Sequence, residues 1–172
     1  MERFFQVNLE GAEQRKYQIV KRDAFQAVGV KRECSCGAEA GAQGIPELWD
    51  EVNNNGTANM LVELMNGEFK GLLGITDNYD AEKNTIDYWI AAEHIGELLN
   101  GLSIIQFPAS KWVVFEVYGP TPIAMPKAWK QIFSEWIPSN RYDVAEIPAI
   151  EAYIDPDPHR ADSSNQIWLA VK

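Results

Sequence analysis

At 172 residues the chain has the size of one ordinary domain, and its 46% apolar and 23% charged residues exclude disorder, collagen and a disulfide-dense mini-scaffold. Lysine and arginine total 15 against 25 acidic residues, a formal charge of −10 that opposes direct nucleic-acid binding and favours a cationic ligand or a basic protein partner. No apolar run approaches the roughly 18 residues of a membrane span, and the opening Met1–Gly11 lacks the apolar core of a signal peptide, so a cytoplasmic protein without membrane contact is expected.

In chain order, Ala24–Val30 reads as a strand. A Cys/Gly/Ala-rich loop follows, holding Cys34 and Cys36. One residue apart, these would form a strained disulfide and read as reduced thiols. His94 and His159, both read as surface loop residues, complete no metal-ligand spacing, and neither a metal nor a cofactor is expected. Ile45–Val52 opens a helix with Pro46 in its first turn, and Asn53-Asn54-Asn55-Gly56 stops it. Leu72–Thr76 and Ile86–Ala92 form a hairpin across the polar turn Asp77–Asn84.

His94–Ser110 reads as a linker, and Lys111–Tyr118 as the next strand, broken by Gly119-Pro120-Thr121-Pro122. Met125, Trp129, Ile132, Phe133 and Trp136 recur at helical spacing until Pro138. Ala149–Ile154 and Gln166–Val171 make a second hairpin around the proline-bearing loop Asp155–Arg160.

The element order therefore repeats. The chain reads as a single α+β domain of two βαββ halves, about 17–94 and 110–172, each too small at about 80 residues to stand alone. Pseudo-twofold pairing of the halves predicts one antiparallel sheet with helices on one side and a ligand groove between the halves.

Ile45-Pro46-Glu47-Leu48-Trp49, Gly74-Ile75 leading to Asp87-Tyr88-Trp89-Ile90, and Phe115-Glu116-Val117-Tyr118-Gly119 stand in an order matched by Ile132–Ser139, Ile150-Glu151-Ala152-Tyr153 and Gln166–Leu169. Over roughly residues 17 to 172 this set resembles the GyrI-like small-molecule-binding domain, the effector-binding unit of some AraC-type and MerR-type transcription regulators, here standing alone. The resemblance implies a cupped groove for hydrophobic, often cationic, compounds with a glutamate near its floor. That glutamate falls on Glu151 and the following aromatic on Tyr153; by repeat matching Thr76 stands where Glu151 does in the other half. Gln166 replaces a frequent family glutamate, and Leu169-Ala170-Val171 lacks a usual proline.

Period-two alternation sets Glu151 and Tyr153 on one strand face and Ile150, Ala152 and Ile154 on the other, with helices expected over one face and ligand over the other. A carboxylate in a half-dry aromatic groove gains from a lipophilic cation that carries no tightly held water. Trp49, Leu73, Trp89, Tyr118, Met125 and Trp168 complete the candidate lining. Trp49 and Met125 serve equally as core, sheet packing explains Trp89 and Trp168 nearly as well, Trp129 and Trp136 read as core, and Glu93 and Glu116 as surface charges.

The leading functional reading is a binding protein that senses or sequesters such compounds, with regulation passing through a protein partner. Two alternatives stay open. One is a hydrolase of strained electrophilic natural products, with Glu151 activating water and Tyr153 or Tyr118 holding the oxyanion. The other is an acidic inhibitor of DNA gyrase.

Overall fold

The structure, a computed structural model, describes residues 3–7, 15–37, 41–97, 101–140, 142–157 and 160–172. His159 lies outside them. In chain order the elements are β1 (Arg3–Val7), β2 (Arg15–Arg22), β3 (Phe25–Gly37), β4 (Gly41–Gln43), α1 (Ile45–Asn54), α2 (Thr57–Leu64), β5 (Leu72–Asp80), β6 (Thr85–Glu93) and β7 (Ser103–Phe107). They continue with β8 (Ser110–Tyr118), α3 (Thr121–Gln131), a π-helical turn (Ile132–Trp136), α4 (Ile137–Ser139), β9 (Ala149–Tyr153) and β10 (Ser164–Val171).

The strands form one antiparallel sheet in the order β1-β2-β8-β10-β9-β5-β6-β3-β4, with β7 sharing the outer edge of β3. Its inner six strands read β8-β10-β9 and then β5-β6-β3, the same sequence of roles reversed about the β9–β5 seam. This is the pseudo-twofold arrangement that the repeat predicts. At the seam Tyr153 pairs with Leu72 and Ala149 with Thr76, which sets Gly74 opposite Glu151.

Residues directly opposite in an antiparallel ladder share a face, so the register fixes what each face holds. One face carries Val28, Tyr88 and Ile90 under α1 and α2, and Val113, Phe115 and Ile167 under α3 and the π turn. In α1, Pro46 occupies the first turn, where its missing N–H costs nothing, and Leu48 and Val52 recur one turn apart. Their burial contributes about 3–6 kcal/mol as an upper figure. Among the described residues no helix covers the other face. Leu73, Ile75, Trp89, Trp112 and Ile150 pack there with Phe69 and Phe107, and the Phe107 and Trp112 rings lie 6.1 Å apart although β7 and β8 are not neighbours. The sheet is therefore strongly bent. Covered on both faces, β6 is buried nearly throughout, which explains its unbroken apolar run.

Several boundaries differ from the sequence reading. Cys34 and Cys36 belong to β3 rather than to a loop, since the strand runs on to Gly37 to hydrogen-bond with β4; both are free thiols and Cys34 is buried. The expected linker contains β7, because Ile104 and Ile105 gain a ladder with β3. The helix α2 follows Gly56, whose positive φ of 88° turns the chain instead of ending the helical region. From the stretch attributed to the first half, β2 crosses to pair with β8 of the second.

Glu93 and His94 were also misplaced by composition alone. Glu93 is buried, accepting the Glu68 and Phe69 N–H groups at 3.1 and 3.0 Å and pairing with Arg22, whose guanidinium sits 3.9 Å over the Phe25 ring. Gly67 gives it room, since a Cβ there would come 2.2 Å from its carboxyl carbon. His94 is half-buried, with Nδ1 2.7 Å from the Leu64 carbonyl oxygen.

Candidate functional site

Glu151 of β9 stands at the seam, where Trp129 of α3 bonds it and Trp49 of α1 packs on its neighbour Tyr153. The register puts it on the helix-bearing face, not on the helix-free face where the sequence reading set it. Each half brings one helix to the seam, α1 with Trp49 and α3 with Trp129.

Three neutral donors hold the carboxylate. The Tyr88 and Tyr153 hydroxyls donate to Oε1 at 2.8 and 2.9 Å, and the Trp129 indole N–H donates to Oε2 at 2.8 Å. Behind them the Trp49 N–H donates to the Tyr88 hydroxyl at 3.1 Å, and the Trp49 ring meets Tyr153 edge-on at 5.0 Å. Phe133, 59% exposed, stacks on Trp129 at 5.5 Å and extends the aromatic wall outward. It comes from the π turn, a feature that recurs at functional sites. Glu151, Tyr153, Trp49 and Trp129 all keep partial exposure.

The cage fits only because position 74 has no side chain. A Cβ on Gly74 would lie 2.1 Å from Tyr88 Oη and 2.7 Å from Glu151 Oε1.

Burial pushes the Glu151 carboxyl above its ordinary value, and the bonds from Trp129, Tyr88 and Tyr153 pull the other way. Tyr88 and Tyr153 are driven well above the ordinary phenol value, first by burial and then by the adjacent carboxylate. The hydroxyls are thus fixed as donors. The centre is a desolvated acid surrounded by protonated phenols and indoles.

Of the residues expected from sequence, the structure brings Glu151, Tyr153 and Trp49 together. It does not bring the others to them. Leu73, Trp89 and Trp168 lie on the opposite sheet face, where Trp168 packs edge-on to Phe69 at 4.8 Å. Tyr118 is 63% exposed at the end of β8, and by strand alternation it too lies on that opposite face. Met125 is buried in the core beneath α3. An open depression of about 890 Å³ reaches Trp168, Arg22 and Glu93 but not Glu151.

Sequence reasoning missed Tyr88, Gly74 and Trp129. Tyr88 and Gly74 stand inside quoted signatures, and the signal that assigns them is ladder register, in which Gly74 pairs with Ile90 and Thr76 with Tyr88. Trp129 has the helical spacing of a core residue; only the position of α3 beside the seam distinguishes it. Among the described residues, no group of three or more His, Cys, Asp and Glu could hold a metal ion, and no helix is long and apolar enough to cross a membrane.

A doubled βαββ sheet with an acid and aromatic rings at its seam is the GyrI-like effector-binding class. Residues 18–171 match the family described as Cass2, integron-associated effector binding protein, and the chain belongs to that family. Among solved structures, a Staphylococcus aureus MU50 protein assigned to transcription regulation is 26% identical, with a TM-score of 0.77 over 91% of this chain and 97% of its own. SAV2435 bound to tetraphenylphosphonium is 25% identical, with a TM-score of 0.80 over 91% and 93%. An integron cassette protein of Vibrio cholerae, 16% identical with a TM-score of 0.64 over 99% of both chains, shares the fold. No curated protein matches the chain.

Proposed function

We propose that this protein takes up hydrophobic organic cations at Glu151, sensing or sequestering them, and that any effect on transcription passes through a protein partner. The carrying observation is the Glu151 carboxylate, held away from bulk water by three neutral donors and ringed by Trp49, Tyr88, Trp129 and Tyr153. Among the described residues no cationic side chain is a hydrogen-bond partner of Glu151. A lipophilic cation meets an uncompensated negative charge there and sheds little hydration on entering. Each aromatic face adds about 0.5–2 kcal/mol of cation–π attraction, depending on how dry the contact is. The tetraphenylphosphonium complex of SAV2435 supports the same class of ligand. The charge of −10 steers cations inward and opposes approach to nucleic acid.

A thermal-shift comparison of tetraphenylphosphonium with the anionic isostere tetraphenylborate tests this reading. At a hundredfold excess over Kd the cation is expected to stabilise the protein by about 2.7 kcal/mol, a rise of about 5–10 °C for this chain length. Tetraphenylborate is expected to give no rise. Glu151→Gln removes the charge and should abolish the difference; a variant that keeps the full cation preference refutes the assignment of the acid.

A further inference from the structure

A carboxylate offers about four in-plane acceptor positions, and hydrogen bonds fill them one at a time. On Glu151 the Tyr88 and Tyr153 hydroxyls occupy both positions of Oε1, and Trp129 occupies one of Oε2. One remains. The neighbouring indole of Trp49 can only donate, and the Tyr88 hydroxyl oxygen already accepts from it, which leaves the Tyr153 hydroxyl oxygen as the one further acceptor of the cage among the described residues. The cage is therefore rich in negative charge and π surface, and poor in vacant acceptors.

A primary ammonium group brings three N–H donors, each of which leaves water on entry. One finds the free position on the carboxylate and a second at most the Tyr153 hydroxyl oxygen; the third must displace a cage donor or stay unpaired, and an unpaired buried donor carries the full desolvation penalty. A quaternary ammonium or phosphonium carries the same charge with no donor to satisfy. From this count, and resting on the cation reading above, we infer that the donor set on Glu151 makes the site select cations without N–H groups over protonated amines of the same skeleton. Trp129, Tyr88 and Tyr153 then act as specificity residues, holding the charge in place while closing its hydrogen-bonding capacity.

The test uses three probes on one skeleton: biphenylmethyl-trimethylammonium, biphenylmethyl-ammonium, and the neutral carbon isostere of the first, with a tert-butyl group in place of trimethylammonium. Affinities are read by titration calorimetry on the wild-type chain and on Trp129→Phe and Tyr153→Phe. In the wild type the quaternary probe should bind about tenfold or more tighter than the primary one, the scale of one unpaired donor. Both substitutions keep an aromatic ring and free one position on the carboxylate, but Tyr153→Phe also removes the hydroxyl acceptor, so Trp129→Phe should shrink that ratio severalfold by improving the primary probe and Tyr153→Phe should shrink it less. Extra burial of the three methyl groups predicts no such change, which separates the two explanations. A primary probe that binds as tightly as the quaternary one in the wild type, or a ratio unmoved in both variants, overturns the inference and leaves the cation reading standing. A quaternary probe that binds no tighter than its neutral isostere overturns the cation reading and the inference with it.

Discussion

Gly74→Ala sets two physical effects of opposite sign against each other. Gly74 lies inside β5 without a positive φ, so on backbone grounds alanine should stabilise the strand by about 0.5–1 kcal/mol. Its added methyl would, however, stand 2.1 Å from the Tyr88 hydroxyl and 2.7 Å from Glu151 Oε1, distances at which atoms must move. Tyr88 has little freedom, being buried and tethered by Trp49. The cheapest relief breaks the Tyr88–Glu151 bond, worth about 1.5–3 kcal/mol as a bond to a charged group, and overpacking adds about 1–3 kcal/mol. Net destabilisation of about 1.5–5.5 kcal/mol follows once the backbone gain is subtracted, a fall in Tm of about 3–22 °C for this chain length.

Differential scanning calorimetry measures the loss, and titration with tetraphenylphosphonium should show affinity weakened about tenfold or more, since the carboxylate is displaced from its cage. Glu151→Gln in the Gly74→Ala background should add little to that loss, because the two substitutions act on one contact. An alanine variant as stable as the parent, with unchanged cation affinity, would show that the cage is not closed in solution and would refute the geometry on which the site rests.

Four further outcomes are expected. Cation binding requires ionised Glu151, whose folded pKa lies above the ordinary 4.5, so tetraphenylphosphonium affinity should decline with acidification from a midpoint above 4.5; a midpoint at or below that value contradicts the burial. The same shift means that the folded chain holds this proton more tightly than the unfolded one, so Glu151 costs stability as pH rises from 4.5 through its folded pKa, and a stability profile of Glu151→Gln should lack that component. Tyr17, Tyr88 and Tyr153 should ionise later than the ordinary phenol value of 10.0, so ultraviolet titration should leave tyrosine protonated beyond it until the chain unfolds. Glu93→Gln leaves Arg22 with only the exposed Glu68 as ionic partner and should lower unfolding free energy by about 3 kcal/mol in urea denaturation, without altering cation affinity.

The duplicated βαββ plan was legible because both hairpins and both long helices announce themselves by periodicity and proline placement. The edge elements were not, since β7 and β4 are too short to show a pattern and gain their order from pairing with β3. The site was half legible. Glu151 and Tyr153 follow from strand alternation together with the family resemblance, but alternation says only that two residues share a face, not which face the helices cover. That second fact depends on cross-strand register and on how the bent sheet is capped. It decides the position of every other ring, sending Trp89 and Trp168 to the helix-free side and Tyr88 to the cage. Glu93 illustrates the same gap: no local pattern reveals that a strand-ending glutamate will meet Arg22 from β2, 71 residues away in sequence.

The seam also shows how the fold makes room for the carboxylate of Glu151. Antiparallel pairing sets position 74 directly against position 151, where Cβ atoms lie about 4.5–5.5 Å apart. A second carboxylate there would face the first across the ladder, and like charges at that range drive one of them to take up a proton. Gly74 brings neither charge nor side chain, and the space it leaves is filled by the Tyr88 hydroxyl and the Glu151 carboxylate themselves. The surrounding rings are drawn more evenly, with Trp49 and Tyr88 from the first half, and Trp129 and Tyr153 from the second. Both halves supply aromatic rings to the seam; the asymmetry of one cross-strand pair, Gly74 against Glu151, supplies the charge on which the proposed cation binding rests.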